Sequence, residues 1–202
     1  MDDDFELLES IRCEDREFLW VDKHLDRMAS SASFFGFRFD LASVSNALDA
    51  VRDPGPVKVR LTLSRGGDVS ASSTPVGSMD PVRLAVARTP VDSSDVSLFH
   101  KTTDRHIYEE ALAVHPEADD VVLINERGEV TEATSSNIIL RIDDLWVTPS
   151  LECGLLPGIH RAVLLDAREV TEQRLTVDDL RAADDMALVN SVRLRRSANL
   201  VL

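Results

Sequence analysis

The sequence predicts an α+β protein built as two halves. Three observations carry this. Strand-type runs, alternating or apolar, outnumber the helical patterns and are interspersed with them. Residues 88–97, Arg-Thr-Pro-Val-Asp-Ser-Ser-Asp-Val-Ser, are polar and aperiodic and hold a proline, the pattern of a linker. The length of 202 residues makes one large domain or two small ones, at roughly 150 residues per domain. We therefore expect an N-terminal α+β subdomain over 1–90, a linker over 91–97 and a β-rich C-terminal subdomain over 98–202.

Each element has a local reason. Residues 5–12 read as a strand and 18–21 as its short hairpin partner. Asp22 is the candidate N-cap of a helix in which Leu25, Met28, Ala29, Ala32 and Phe35 recur at helical spacing, and Gly36 closes it. A second helix is expected over 41–51, with Val44, Leu48 and Val51 on one face, broken by Asp53-Pro54-Gly55-Pro56. Val57, Val59, Leu61 and Leu63 alternate with polar residues, as in a half-buried strand. Weaker strands follow near 69–73 and 82–87. Beyond the linker, Asp104 is the candidate cap of a helix through His115, with Ile107, Ala111 and Leu112 inward and Tyr108 a further candidate for that face. Residues 121–125 form an apolar strand, Asn125-Glu126-Arg127-Gly128 a turn, and 130–134 the return. Strands over 137–142 and 145–148 flank the Asp143-Asp144 turn. Leu156-Pro157-Gly158-Ile159 opens a helix to about Ala167, with proline near its first turn. A strand over 170–175, a short helix capped by Thr176 and a final apolar strand over 186–192 complete the chain, with 199–202 pairing at a sheet edge.

Composition limits the function. Lysine plus arginine total 22 against 36 aspartates and glutamates, a formal charge of −14. A nucleic-acid partner needs a cationic face, so none is expected. A small anionic ligand is still admissible, because a few inward arginines make a local positive site. No apolar run approaches the roughly 18 residues of a membrane span, and Met1-Asp2-Asp3-Asp4 is acidic where a signal peptide is basic. A cytoplasmic location is expected. Cys13 and Cys153 form no CxxC pair, which fits a reducing compartment and ordinary buried or half-buried thiols. The histidines, His24, His100, His106, His115 and His160, form no HExxH pattern, so no metal site is expected. The nucleophile elbow, the P-loop and the dinucleotide fingerprint are absent. Lysine chemistry has three candidates: Lys23, Lys58 and Lys101.

One set of residues points further. Lys101 precedes a helix, Glu132 sits in a threonine-rich strand, and Gly158 opens a helix whose first amides suit an anion. Singly these are a solvated lysine, an edge-strand glutamate and a helix start. Together, with Arg27 as a bidentate partner for the same anion, they offer an amine for an aldehyde, a carboxylate for a pyridine nitrogen and a phosphate site. Those are the three handles of pyridoxal 5′-phosphate, an electron sink for a carbanion.

At this point the chain resembles the class IV aminotransferases, the fold-type IV pyridoxal phosphate enzymes. These include branched-chain and D-amino-acid aminotransferases and 4-amino-4-deoxychorismate lyase. The likeness spans nearly the whole chain. It rests on Phe5-Glu6-Leu7-Leu8-Glu9-Ser10-Ile11-Arg12, His24-Leu25-Asp26-Arg27-Met28 and Lys101-Thr102-Thr103-Asp104-Arg105. It continues in Asn125-Glu126-Arg127-Gly128-Glu129-Val130-Thr131-Glu132-Ala133, Ser136-Asn137-Ile138 and Leu155-Leu156-Pro157-Gly158-Ile159-His160-Arg161.

The resemblance implies a D-amino-acid aminotransferase-like fold, with two small α/β subdomains and a cofactor cleft between them. It implies bound pyridoxal 5′-phosphate, a small-molecule amino substrate and a homodimer. Lys101 is implied as the Schiff-base and proton-transfer lysine, and Glu132 as the partner of the pyridine nitrogen. Arg27, the backbone amides of Ile159 and His160, and Ser191 are implied at the phosphate. Ser135 is implied as a cofactor contact, and Asn137 as a structural bond to the loop presenting Glu132. Two departures are visible. Relatives usually carry a further strand and segment before Phe5, which helps form the substrate pocket and the dimer contact. Branched-chain aminotransferases carry a tyrosine five residues after the lysine, near the cofactor ring hydroxyl, where this chain has His106. The Lys-Thr-Thr-Asp-Arg run is closer to the lyase branch, so the resemblance implies conversion of 4-amino-4-deoxychorismate to 4-aminobenzoate and pyruvate in folate biosynthesis. The alternatives are an aminotransferase for branched-chain or D-amino acids and a cofactor-free, non-catalytic relative.

Overall fold

The computed structural model of the chain describes residues 4–53 and 55–201. The first three residues of the acidic start, Pro54 of the expected helix break and Leu202 of the expected edge strand lie outside them. The chain divides into two compact units. One comprises Met1–Ser78, His100–Asp104 and Ser191–Arg193; the other comprises Met79–Phe99, Arg105–Asn190 and Leu194–Leu202.

The first unit holds strands β1 (Leu7–Glu14), β2 (Glu17–Phe18), β3 (Val57–Leu63) and β4 (Val69–Pro75), in the order β2-β1-β3-β4. Every pairing is antiparallel. Leu7 lies opposite Leu63 and Ile11 opposite Val59. Because side chains alternate along a strand, this register brings Leu7, Ile11, Cys13, Val57, Val59, Leu61 and Leu63 into one core. Helices α1 (Val21–Phe35) and α2 (Leu41–Asp49) add Met28, Ala32, Val44 and Leu48 to it.

The helix ends differ in part from expectation. Trp20, in the left-handed region at φ 54°, occupies the N-cap position of α1 and makes no side-chain cap. Asp22 lies in the first turn, where its charge meets the positive end of the helix dipole. Gly36 closes α1 at φ 71°, and the N–H of Phe37 donates to Ala32 O at 2.8 Å, as in a left-handed C-terminal cap. Asp40 caps α2 by accepting from the Ser43 N–H at 2.9 Å, and that helix ends at Asp49, before Val51.

Two distant segments join this unit. The Leu8 N–H donates to Lys101 O and the Thr103 N–H to Glu6 O, both at 2.9 Å, and Leu7 lies opposite Thr102. Lys101 thus lies along β1, although the sequence groups it with the C-terminal half. In the second returning segment, Val192 O accepts from Arg12 Nη1 at 3.1 Å.

The second unit holds β5 (Val82–Val86), β6 (Asp120–Ile124), β7 (Val130–Ala133), β8 (Asn137–Ile142), β9 (Leu145–Pro149), β10 (Thr171–Gln173), β11 (Asp185–Asn190) and β12 (Leu194–Leu200). Among the described residues they form one eight-stranded sheet, ordered β10-β9-β8-β11-β12-β5-β6-β7. The C-terminal strand is therefore internal, antiparallel to β11 and parallel to β5. Its sequence hides this, because Leu194-Arg195-Arg196-Ser197 leaves one face exposed and only Ala198 is buried. The expected strand over 170–175 shortens to the exposed edge strand β10.

Helices α3 (His106–Ala113), α4 (Ile159–Asp166) and α5 (Val177–Ala182) belong to this unit. Asp104 does not cap α3. Arg105 holds the N-cap position without a side-chain bond, because residues 100–104 are committed to β1. Thr176 and Asp179 cap α5 reciprocally. The 88–97 stretch is anchored: the Val91 N–H donates to Ile124 O at 2.8 Å, the Glu126 N–H to Val91 O at 3.0 Å, and Val91 is buried.

Both cysteines are free and buried, as expected. Burial, reinforced by Glu129, pushes the Cys153 thiol up to about 11, so it is not a ready nucleophile. Among the described residues no helix is long and apolar enough to cross a membrane.

Candidate functional site

The candidate residues fall into two groups, one in each unit. Lys101, Arg27 and Ser191 belong to the first; Glu132, Ser135, Ile159 and His160 belong to the second.

In the first unit, β1 alternation explains the main feature. Leu7, Glu9, Ile11 and Cys13 share a face, and that face is the core side. Glu9 is therefore a carboxylate on an apolar surface, only 1% exposed. Two side chains of α1, spaced i and i+3, meet it. Arg27 donates from Nε to Glu9 Oε1 at 2.8 Å and from Nη2 to Oε2 at 2.6 Å, a bidentate fork. His24 Nδ1 lies 2.7 Å from Oε2. Burial alone would raise the Glu9 carboxyl, but Arg27 and the His24 hydrogen bond outweigh it and bring it down to about 2. His24 Nε2 is buried and has no hydrogen-bond partner among the described residues.

The sequence points to Arg27 but passes over Glu9 and His24. The available signal is a charge at the third position of an apolar alternation, Leu7-x-Glu9-x-Ile11. Lys101 enters beside them through the pairing of its carbonyl with Leu8. His100 anchors the same segment: its Nδ1 is 2.9 Å from Ser31 Oγ and its ring stacks on Phe34 at 4.7 Å. Burial lowers the His100 pKa, favouring the neutral imidazole. Ser191 is buried in the turn before β12.

In the second unit, Glu132 lies on β7 and is 4% exposed. Its Oε1 accepts from Tyr108 OH at 2.9 Å and from the Leu156 N–H at 3.2 Å. Its Oε2 accepts from Asn137 Nδ2 at 3.2 Å. Asn137 Nδ2 also donates to Leu156 O at 3.0 Å, tying the Glu132 strand to the loop before α4. That loop passes so close that a Cβ at Gly158 would overlap Asn137 Oδ1, which is why glycine is required there. The first amides of α4, including those of Ile159 and His160, have no intrahelical acceptor, and Gly158 supplies no side-chain cap. The β7–β8 hairpin is held by buried Asp120, whose Oδ1 accepts from Thr134 Oγ1 at 2.6 Å and whose Oδ2 accepts from Ser135 Oγ at 2.7 Å. The Ser135 hydroxyl is thus engaged within the hairpin. His106 is exposed at the start of α3, while Tyr108 on the same helix reaches Glu132.

These donors suit pyridoxal 5′-phosphate chemically. A guanidinium held by a carboxylate and the N-terminus of α4 both suit a phosphate dianion. A buried carboxylate stabilised by hydrogen bonds suits a protonated ring nitrogen, and a lysine amine suits the aldehyde.

Comparison with known proteins agrees with this chemistry. The family described as "Amino-transferase class IV" matches residues 6–199. A Schizosaccharomyces pombe protein named "Putative aminodeoxychorismate lyase" is 35% identical over 191 residues, covering 89% of this chain and 83% of the relative. A crystal structure of a "Putative amino-acid aminotransferase" from Mesorhizobium loti superposes with a TM-score of 0.90 at 40% identity, covering 98% of this chain and 100% of the other. The PLP-bound form of a hypothetical aminotransferase from Mycobacterium tuberculosis shares the fold, with a TM-score of 0.82 at 22% identity over 96% of this chain and 81% of that one.

Proposed function

The chain belongs to the class IV aminotransferase family and is a pyridoxal-phosphate-dependent enzyme; on that premise we propose that it is a lyase converting 4-amino-4-deoxychorismate to 4-aminobenzoate and pyruvate. The observation that supports this best is the 35% identity, over most of both chains, to a protein named as such a lyase. The Lys101-Thr102-Thr103-Asp104-Arg105 run points the same way.

In this reading Arg27, kept in place by Glu9, binds the phosphate together with the Ile159 and His160 amides and Ser191. Glu132 would keep the ring nitrogen protonated, and Lys101 would be the amine that holds the aldehyde before substrate binds. Ser135 borders the ring through the hairpin that Asp120 holds. When bound, the cofactor withdraws electrons from the carbon that carries the substrate amino group. Lys101 is the general base that takes the proton from that carbon, C4 of the substrate ring. The C3–O bond to the enolpyruvyl group then breaks, and the ring becomes aromatic. Lys101 returns the proton to the methylene carbon of the leaving group, which departs as pyruvate. Atoms balance without any oxidant or second substrate. Homodimerisation and a cytoplasmic location belong to the same reading.

The test is a substrate comparison on the purified holoenzyme. Release of 4-aminobenzoate and pyruvate in equal amounts, with no amino transfer to 2-oxoglutarate, is expected. An aminotransferase reading is favoured by the name of the 40% identical structure. It predicts instead a keto acid from a branched-chain L-amino acid or D-alanine, with glutamate formed, and that result would overturn the lyase. Protein that remains colourless and inactive after cofactor is added would overturn both in favour of a non-catalytic relative.

A further inference from the structure

Glu132 accepts from the Tyr108 phenol at 2.9 Å, a shorter contact than the 3.2 Å of the Leu156 amide and the Asn137 carboxamide. The phenol comes from α3, the carboxamide from β8 and the amide from the loop before α4. Arg105 secures the phenol from the other side. The guanidinium sits 4.7 Å from the centroid of the Tyr108 ring, and its Nη2 donates to the carbonyl of Thr134, two residues beyond Glu132. Ring and hairpin are thereby clamped together within one unit.

We propose that Tyr108 is a positioning residue that fixes the charge state of Glu132 and, through it, the proton on the cofactor ring nitrogen. The proposal rests on the pairing of Glu132 with that nitrogen described above. A proton shared by a ring nitrogen and a carboxylate stays on nitrogen only while the carboxylate is the weaker base. Burial strengthens the carboxylate as a base, and each hydrogen bond donated to its ionised form weakens it. At 4% exposure Glu132 has little water to stabilise its charge, so each donated hydrogen bond counts. The phenol suits the task because it stays a donor throughout the neutral range: burial first, then the Glu132 charge, push its pKa well above the ordinary tyrosine value. The chain therefore uses a tyrosine seven residues after Lys101, directed at the carboxylate, and carries an exposed histidine five residues after it.

Tyr108 is the only tyrosine in the sequence, which makes the test site-specific without a mutation. The probe is pyridoxal 5′-phosphate labelled with 15N at the ring nitrogen, whose NMR position separates the protonated from the neutral nitrogen. It is bound to the wild-type protein, to Tyr108→Phe and to Glu132→Gln. The nitrogen is expected to be protonated in wild type, neutral in Glu132→Gln and shifted partway to neutral in Tyr108→Phe. The last variant is also expected to lose about 10-fold in kcat, the lower worth of one hydrogen bond to a charged group, with KM nearly unchanged. If Glu132→Gln moves the resonance and Tyr108→Phe does not, the role of Tyr108 is overturned while the Glu132 pairing stands. If neither moves it, the Glu132 pairing fails and Tyr108 with it. Should Tyr108→Phe not fold, growth on 3-fluorotyrosine replaces this residue alone with a stronger donor. The shared proton is then expected to lie further onto the ring nitrogen, read as a larger one-bond 15N–1H coupling, and an unchanged coupling overturns the proposal.

Discussion

Glu9 and Glu132 are both buried carboxylates on strands, yet the two units treat them differently. Glu9 is met by a guanidinium fork and an imidazole, so much of its charge is neutralised within the protein. Glu132 accepts from a phenol, a carboxamide and a backbone amide, which stabilise a negative charge without cancelling it. The difference separates two tasks. A carboxylate neutralised by an arginine orients that arginine. Hydrogen bonds from neutral donors steady a carboxylate while leaving it a charge that a cationic ring can use. Substitutions at the two should therefore fail in different ways.

The largest effect is expected at Lys101, which shares a backbone ladder with β1 beside Glu9. Lys101→Ala should leave the fold intact and cut turnover by about 10²–10⁴-fold, the share of a positioned acid–base group. Borohydride should no longer link cofactor to protein, and retained turnover would exclude this lysine.

Next comes Glu9. Glu9→Gln removes the buried carboxylate that the half-buried Arg27 grips, which costs roughly 3–5 kcal/mol and should be visible in chemical denaturation. The same pair sets an acid limit. The folded pKa of Glu9 is depressed from 4.5 to about 2, so its contribution is present above the unfolded value. It fades as pH falls from about 4.5 towards 2. Linkage makes this worth about 3 kcal/mol, and wild type should lose stability over that window while Glu9→Gln changes less. A variant as acid-sensitive as wild type would show that Glu9 is not the group responsible.

Arg27→Ala should weaken cofactor binding by about 1.5–3 kcal/mol, read from cofactor titration; unaltered affinity would remove it from the phosphate site. The smallest effect is expected from Gly158→Ala, at roughly 1–3 kcal/mol of overpacking. Its Cβ would strike Asn137 Oδ1 and disturb the amide that donates to Glu132. If Gly158→Ala shifts stability but leaves the ring-nitrogen resonance in place, Asn137 supports the loop and not the carboxylate.

Much of this was legible in the sequence. Alternation marked β3, helical spacing with Gly36 marked α1, and the turn around Gly128 marked the β6–β7 hairpin. Each of these signals acts within a few residues. Lys101, Arg27 and Glu132 stood out as candidates because amine, guanidinium and carboxylate lie inside recognisable motifs. The helix starts at Trp20 and Arg105 were not. In the second case the residues before the helix are held by β1, about a hundred positions away in the chain.

By itself, then, the sequence determined the strand and helix patterns, the family and the functional groups available. Only the tertiary structure decided which partner each buried charge receives: Arg27 and His24 for Glu9, Tyr108 and Asn137 for Glu132. It also decided that the arginine-rich C-terminal strand lies inside a sheet and that Lys101 pairs with β1. The physical reason is range. Periodicity and capping are set by neighbours along the chain, whereas ion pairs, hydrogen-bonded carboxylates and sheet order are set by residues that meet only after folding.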